Sequence, residues 1–281
     1  MYAYIAAMTY DDDDDMFEDA RPIPLNDEAA YAGMRKAGRL AAEILDELAE
    51  IVKPGITTNA INDYVHQRIT GEGAVPAPLN YRGFPKSVCT SINHVVCHGI
   101  PSDTKLKNGD IVNIDVTTIV DGWHGDTSRT FWVGEVPIKA RRLTEVTYEA
   151  MMRGIDVVKP GATTGDIGHA IQSFIEPLGF SIVREYCGHG LGRTFHTAPN
   201  ILHYGQPGTG VELKEGMFFT VEPMINVGKA ATILNKHDGW TVTTRDKSLS
   251  AQFEHSIAVT KTGYEIFTAS PKGLHCPPFH Q

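Results

Sequence analysis

The sequence predicts an α+β domain built from two related halves, each running helix, helix, then antiparallel strands. Three observations predict it: an internal repeat, a helical periodicity before each copy, and an Asp-Gly hairpin between alternating runs. Residues 52–61 read VKPGITTNAI and residues 158–167 read VKPGATTGDI, identical at seven of ten positions and offset by 106. A second pair, LKNGDIVNID at 106–115 and LKEGMFFTVE at 213–222, stands at an offset of 107. Two copies at so long a period suit a pseudo-symmetric domain, because a solenoid needs at least about three repeats.

The composition is that of a globular chain long enough for a sizeable core, with 281 residues, 42% hydrophobic and 21% charged. The 25 Lys and Arg against 34 Asp and Glu give a net charge of −9, which argues against duplex nucleic acid as a partner. No run approaches the ~18 unbroken apolar residues of a membrane span. The start, MYAYIAAMTY followed by Asp11 to Asp15, lacks the basic and apolar regions of a secretion signal. Cys89, Cys97, Cys187 and Cys276 form no C-x-x-C pair, the usage of a reduced, cytoplasmic chain.

Taken in order, residues 1–25 read as an acidic, flexible tail, because consecutive aspartates repel one another. Asn26 is the expected N-cap of a long helix, and Tyr31, Met34, Ala37, Ala41, Ile44, Leu45, Leu48 and Ile51 then recur at helical spacing. Lys53-Pro54-Gly55 stops that helix, and the following Thr-Thr step caps a second. The second half repeats the scheme with a helix over Ala140–Val157 and another Thr-Thr step. The domain is expected to span 26–269. Residues 270–281, SPKGLHCPPFHQ from Ser270, are rich in turn formers and should be irregular.

The strands carry the chemistry. Residues 111–120 alternate in character, meet Asp121-Gly122, and continue as WHGDTSRTFWV. An Asp-Gly between two such runs marks a two-residue hairpin. With 121 and 122 as turn residues, Thr117 faces Asp126 and Asp115 faces Ser128. Asp115 and Asp126 are then diagonal neighbours on one face, roughly 5.5–8 Å apart at Cβ. The repeat aligns Asp115 with Glu222, so two acids in apolar, strand-like surroundings should both face the pseudo-symmetry axis. Glu254 in SAQFEHSIAV is the expected fourth carboxylate.

Carboxylates gathered in this way repel unless a proton or cation lies between them. His98, His189 and His196 sit in Gly-flanked or strand-end segments that could supply an imidazole, although any one of them could equally be structural. Four acids and a histidine form an oxygen-rich set that favours Mn, Fe, Co or Zn in a two-metal site over thiolate-bound structural zinc. Such a pair of ions is a hydrolytic arrangement.

YRGFPKSVCTSINHVVCHGIP (81–101), GDIVNIDV (109–116), DGWHGDTSRTF (121–131), YCGHGLGRTFH (186–196), FTVEPM (219–224) and QFEHS (252–256) together resemble the type I methionine aminopeptidases. The resemblance implies a pita-bread α+β fold, a curved antiparallel sheet backed by four helices with an internal pseudo-two-fold. It implies two divalent ions (Co, Mn, Fe(II) or Zn) held by Asp115, Asp126, His189, Glu222 and Glu254, with Asp126 and Glu254 bridging. Glu222 would also move a proton to the leaving amine. His98 and His196 would orient the scissile peptide, and Tyr81, Phe84, Cys89, Phe195 and Trp240 would line the methionine pocket. Aromatic residues serve a core just as well, so those five have a plain packing alternative. The implied partners are nascent polypeptide N-termini, with the ribosome a further candidate, and the chain is expected to act as a monomer.

His94 and Thr197 depart from the family pattern at positions where relatives commonly carry acidic residues; neither is a ligand position. The offset of 32 from Glu222 to Glu254 leaves no room for the helical insertion of type II enzymes. Two alternatives stand beside that resemblance: a proline-specific relative, which shares the five ligand types but usually carries a large N-terminal domain, and a non-catalytic scaffold of the same fold, which typically loses metal ligands.

Tyr2 follows Met1, and the resemblance implies that only small second residues pass beside the metals. The chain should therefore retain Met1, cleavage being slowed about 10–200-fold by the misfit. The intact mass of the natively expressed protein checks this: a species beginning at Tyr2 contradicts it, and translation from Met8 or Met16 would make Tyr2 irrelevant.

Overall fold

A computed structural model describes residues 22–279. The Asp11–Asp15 run lies outside the described residues. The first helix, α1 (Glu28–Ile51), is capped by Asp27, whose carboxylate accepts from the Ala30 N–H. Asn26, the expected cap, instead donates its side-chain amide to the Gly216 carbonyl at 2.9 Å and pins the chain to the second half. Either residue type can cap, so only the tertiary partner decides between neighbours. One face of α1 buries Leu40, Ile44, Leu45 and Leu48, each such side chain contributing roughly 1.5–3 kcal/mol. Thr57 caps α2 (Thr58–Gly71), and Thr163 caps α4 (Thr164–Ile175) through a capping box with Asp166. Between these lies α3 (Ile138–Asp156), beginning two residues before the predicted Ala140.

The first half adds β1 (Val75–Pro76), β2 (Cys89–Ile92), β3 (Val95–Cys97), β4 (Ile111–Val120) and β5 (Trp123–Trp132). The second adds β6 (Ser181–Ile182), β7 (Gly188–Gly190), β8 (Thr197–Ile201), β9 (Phe218–Val221) and β10 (Met224–Asn226). It ends with β11 (Thr232–Leu234), β12 (Val242–Thr244), β13 (Ser250–Gln252), β14 (Glu254–Val259) and β15 (Tyr264–Ile266). A nine-stranded antiparallel sheet runs β1-β4-β5-β14-β9-β7-β8, with β2 also on β4 and β15 on β14. Two three-stranded sheets, β13-β10-β6 and β11-β12-β3, complete the fold. The α+β class read from the sequence is the one observed.

The β4–β5 hairpin has the predicted register, with Thr117 opposite Asp126 and Asp115 opposite Ser128. Asp121 and Gly122 both adopt positive φ, at 51° and 80°, the conformation of a two-residue turn matched to strand twist. Alternation then sorts the faces. Val112, Ile114 and Val116 pack with α1 and α2, while Asn113, Asp115 and Thr117 point away from the helices. In the second half Phe219, Val221, Ile257 and Val259 pack with α3 and α4, leaving Thr220 and Glu254 on the opposite face. Gly125 lets β5 meet α1: a methyl there would lie 2.2 Å from the Ala37 backbone.

The repeated motifs clasp each other. In one half Thr57 bridges Lys105, and the Gly55 N–H donates to the Leu106 carbonyl at 2.8 Å. In the other Thr163 bridges Glu212, and the Gly161 N–H donates to Leu213 at 3.0 Å. The halves join where β5 pairs with β14, setting Glu254 opposite Ser128.

Residues 270–279 carry no helix or strand, yet they are tied to the core. Asp46 of α1 accepts from Arg129 of β5, from the Ser270 hydroxyl at 2.6 Å and from the Lys272 N–H at 3.1 Å. Both charged partners are almost wholly buried, at 1% and 2% exposure. Asp46→Ala would leave the guanidinium unpaired in the core, so denaturant unfolding should show a loss of about 3–5 kcal/mol. A loss below about 1 kcal/mol would show that water or another acceptor replaces the carboxylate.

Candidate metal centre and active-site cavity

A cavity of about 420 Å³ opens on the face of the sheet away from the helices. Sheet alternation and the join between halves deliver its acids. Asp115, Ser128 and Glu254 form one transverse row across β4, β5 and β14, with Asp126 two residues along β5. Glu222 lies one residue beyond β9, slightly outside the strand expected to contain it, and His189 is the middle residue of β7. All five line the cavity, and so do the other sequence-predicted residues: His98, His196, Tyr81, Phe84, Cys89, Phe195 and Trp240.

The acids are held by neutral donors rather than by cations. Thr117 donates to Asp126 at 2.6 Å; Thr220 donates to Glu222 at 2.7 Å, and Gln252 donates to its other oxygen at 3.1 Å. Thr220 also accepts the His189 N–H at 3.0 Å. His189 Nε2 stands 3.6 Å from both Asp126 Oδ2 and Glu222 Oε1, beyond hydrogen-bond reach. Asp115 Oδ1 is buried with no protein partner.

Burial, together with the nearby Asp126 charge, pushes the Asp115 carboxyl well above the usual carboxylate range. Burial raises Asp126 to about 7 against the opposing Thr117 bond. Glu222 and Glu254 are likewise raised, first by burial and then by neighbouring carboxylates. Burial holds His98 and His189 down to about 4, which leaves both imidazoles neutral at pH 7.

The remainder of the cavity is aromatic. Phe84 meets Trp240 edge-to-face at 5.2 Å, and Tyr81 lies 5.0 Å from Phe195. Tyr81 OH is 2.9 Å from His196 Nδ1, so the hydroxyl fixes that ring. His98 has φ 55°, a conformation few side chains adopt. The turn beyond it is secured by the Gly99 carbonyl, which accepts the Thr90 N–H at 2.7 Å. Its Nδ1 is buried and unpartnered.

Sequence reading missed Thr117, Gln252, Thr220, Tyr186, Cys97 and His203. Thr117 and Gln252 were within reach, since each stands two residues from a predicted acid and so shares its face. Thr220 was within reach on the same ground, two residues from Glu222, whereas His203 acts through a tertiary contact that no local pattern announces.

The sequence profile of metallopeptidase family M24 matches residues 32–261. The chain belongs to metallopeptidase family M24. A methionine aminopeptidase from Rickettsia prowazekii is 66% identical over 257 residues, 92% of this chain and 99% of the relative. Its crystal structure superposes with a TM-score of 0.87 over 88% of this chain and 100% of that one. A methionine aminopeptidase structure from Thermotoga maritima is 38% identical with a TM-score of 0.86, covering 88% of this chain and 99% of that one. The prolidase from Pyrococcus furiosus is 24% identical with a TM-score of 0.69, over 91% of this chain and 67% of its own. That neighbour shares the pita-bread fold.

Family membership brings divalent-metal use, and the residues present fit it. Ligand atoms of Asp126, His189 and Glu254 lie within 4.8 Å of one another. The unpartnered Asp115 oxygen and the crowded carboxylates both call for positive charge. Oxygen and imidazole donors suit labile divalent ions better than thiolate-selective metals.

A cation entering below pH 7 must expel the proton held by Asp126, while His189 is already neutral and imposes no such step. Because burial raises Asp115, Glu222 and Glu254 as well, affinity should rise with pH as these carboxyls give up their protons. The gain in melting temperature on adding Mn(II) should accordingly be larger at pH 7.5 than at pH 5.5. A gain independent of pH would show that the acids are ionised before the metal arrives.

Proposed function

We propose that this protein is a divalent-metal-dependent aminopeptidase that removes the initiator methionine from nascent proteins whose second residue is small. The observation that carries the reading is the cavity itself, whose lining combines four carboxylates and a neutral imidazole with a set of aromatic side chains. The 66% identity to a methionine aminopeptidase over nearly its whole length supports the same reading. Asp115, Asp126, His189, Glu222 and Glu254 would hold two divalent ions. Bound divalent ions supply the Lewis acidity that activates a water and polarises the scissile carbonyl.

The residues of the chain supply the remainder. Glu222, with a pKa raised by burial, takes a proton from the attacking water and delivers it to the leaving amine. His98 and His196, both neutral, line the wall beside it and donate to the carbonyl oxygen as charge develops. Tyr81, Phe84, Cys89, Phe195 and Trp240 enclose the methionine side chain and exclude water. Substrates of this kind arise at the ribosome, which supports an enzyme that meets emerging N-termini in the cytoplasm, acting as a monomer. No helix among the described residues is long and apolar enough to cross a membrane.

Release of methionine from Met-Ala-Ser by protein of measured metal content, against an X-Pro peptide, tests the reading. Chelation should abolish the activity and Co(II), Mn(II) or Fe(II) restore it. Cleavage of X-Pro alone would favour a proline-specific enzyme, and no cleavage at any metal content would favour a scaffold. Glu222→Gln should lower kcat at least about a hundredfold with a smaller change in KM. His98→Ala should slow turnover while metal binding, read by calorimetry, stays nearly intact; lost metal binding would make His98 a ligand.

A further inference from the structure

The residue assigned the proton transfer sits where its strand stops. Pairing of β9 with β14 ends at Val221 opposite His255, and Pro223 follows with no N–H to give. The backbone of Glu222 therefore lies outside the sheet ladder. Its N–H donates instead to His203 Nε2 at 3.1 Å. His203 follows β8 by two residues and is wholly buried. It does not line the cavity.

The imidazole has a second peculiarity. With Nε2 accepting, its proton resides on Nδ1, and Nδ1 is buried with no protein partner. A buried donor left unpaired costs stability and calls for an explanation. A leucine there would remove that donor but leave the Glu222 N–H without its acceptor. Among the described residues, the one hydrogen bond the ring makes is the bond to Glu222.

We infer that His203 is a positioning residue for Glu222, fixing the main chain from which the carboxylate reaches the reacting centre. The other restraints act on the side chain, through Thr220 and Gln252. The Gln252 amide reaches the Glu222 carbonyl only at 3.4 Å. His203 thus holds the N–H side of the backbone alone among the described residues. Because β8 pairs with β7, the same bond ties Glu222 to the strand that carries His189. This inference rests on the role of Glu222 given above.

His203→Leu removes the acceptor and the orphan donor together; His203→Gln restores an acceptor. In His203→Leu, kcat on Met-Ala-Ser should fall about ten- to a hundredfold with KM within about twofold. Co(II) affinity, read by calorimetry on the metal-free protein, should weaken about tenfold. The melting temperature should move little, since one unpaired donor replaces another. His203→Gln should recover most of both losses. Equal kcat and Co(II) affinity in His203→Leu and the unmodified protein would overturn the inference, and so would equal losses in the Leu and Gln variants, which would indicate packing alone. If the unmodified protein releases no methionine at any metal content, the Glu222 role itself fails, whatever the Co(II) titration shows.

Discussion

Asp115, Asp126, Glu222 and Glu254 share one buried cavity, and like charges confined in this way cannot all ionise unless a cation joins them. Two such charges about 4 Å apart repel by ~4 kcal/mol at an effective dielectric near 20. Metal-free protein answers by retaining protons, which is why burial raises all four carboxyls while it keeps His189 neutral. Much of the surrounding structure serves that constraint. Thr117, Thr220 and Gln252 donate to the acids without bringing countercharge, so the positive charge is left to be supplied from outside. Arg129, by contrast, lies on the opposite face of β5, where Asp46 neutralises it.

The pseudo-symmetry explains how the acids converge. Each half clasps its own KPG turn against its own LK-x-G turn, and each then launches a strand toward the middle of the sheet. Asp115 is on the strand launched by the first clasp and Glu222 just past the strand launched by the second. The β5–β14 pairing brings the remaining two acids between them, one from each half. A slip of one residue in β4 against β5 would turn Asp115 toward the helices and Val116 into the cavity. Register is therefore the link between the hairpin sequence and the chemistry.

That link made the hairpin legible: Asp121-Gly122 fixes the register, and the register fixes which acids are neighbours. The repeat likewise exposed the two halves before any coordinates. Less was legible where a choice depends on distant chain. Asn26 and Asp27 are equivalent as caps in sequence, and only the Gly216 carbonyl, 190 residues away, decides between them. The irregular end near Ser270 reads as a tail because turn formers dominate it, yet Asp46 anchors it. His203 carries no sequence signal, because its whole contribution is one bond to a backbone amide on another strand.

Several places where local rules are broken lie at or just behind the cavity. His98 holds a left-handed backbone, Asp115 Oδ1 and His98 Nδ1 lack partners, and His203 Nδ1 lacks one just behind Glu222. Elsewhere α1, α2 and α4 are capped by side chains, while α3 starts at Pro137 without one, and Trp132 Nε1, Asn226 Oδ1 and Ser250 Oγ also lack partners among the described residues. Strain and unpaired polar atoms persist only where surrounding structure over-determines them. Here the well-formed clasps, the capped helices and the buried Asp46–Arg129 pair supply that surplus. A cation and a peptide entering the cavity would satisfy the unpartnered Asp115 oxygen and the His98 imidazole. That cost is then the preparation for what the cavity binds, since groups already aimed and desolvated need no rearrangement when charge develops.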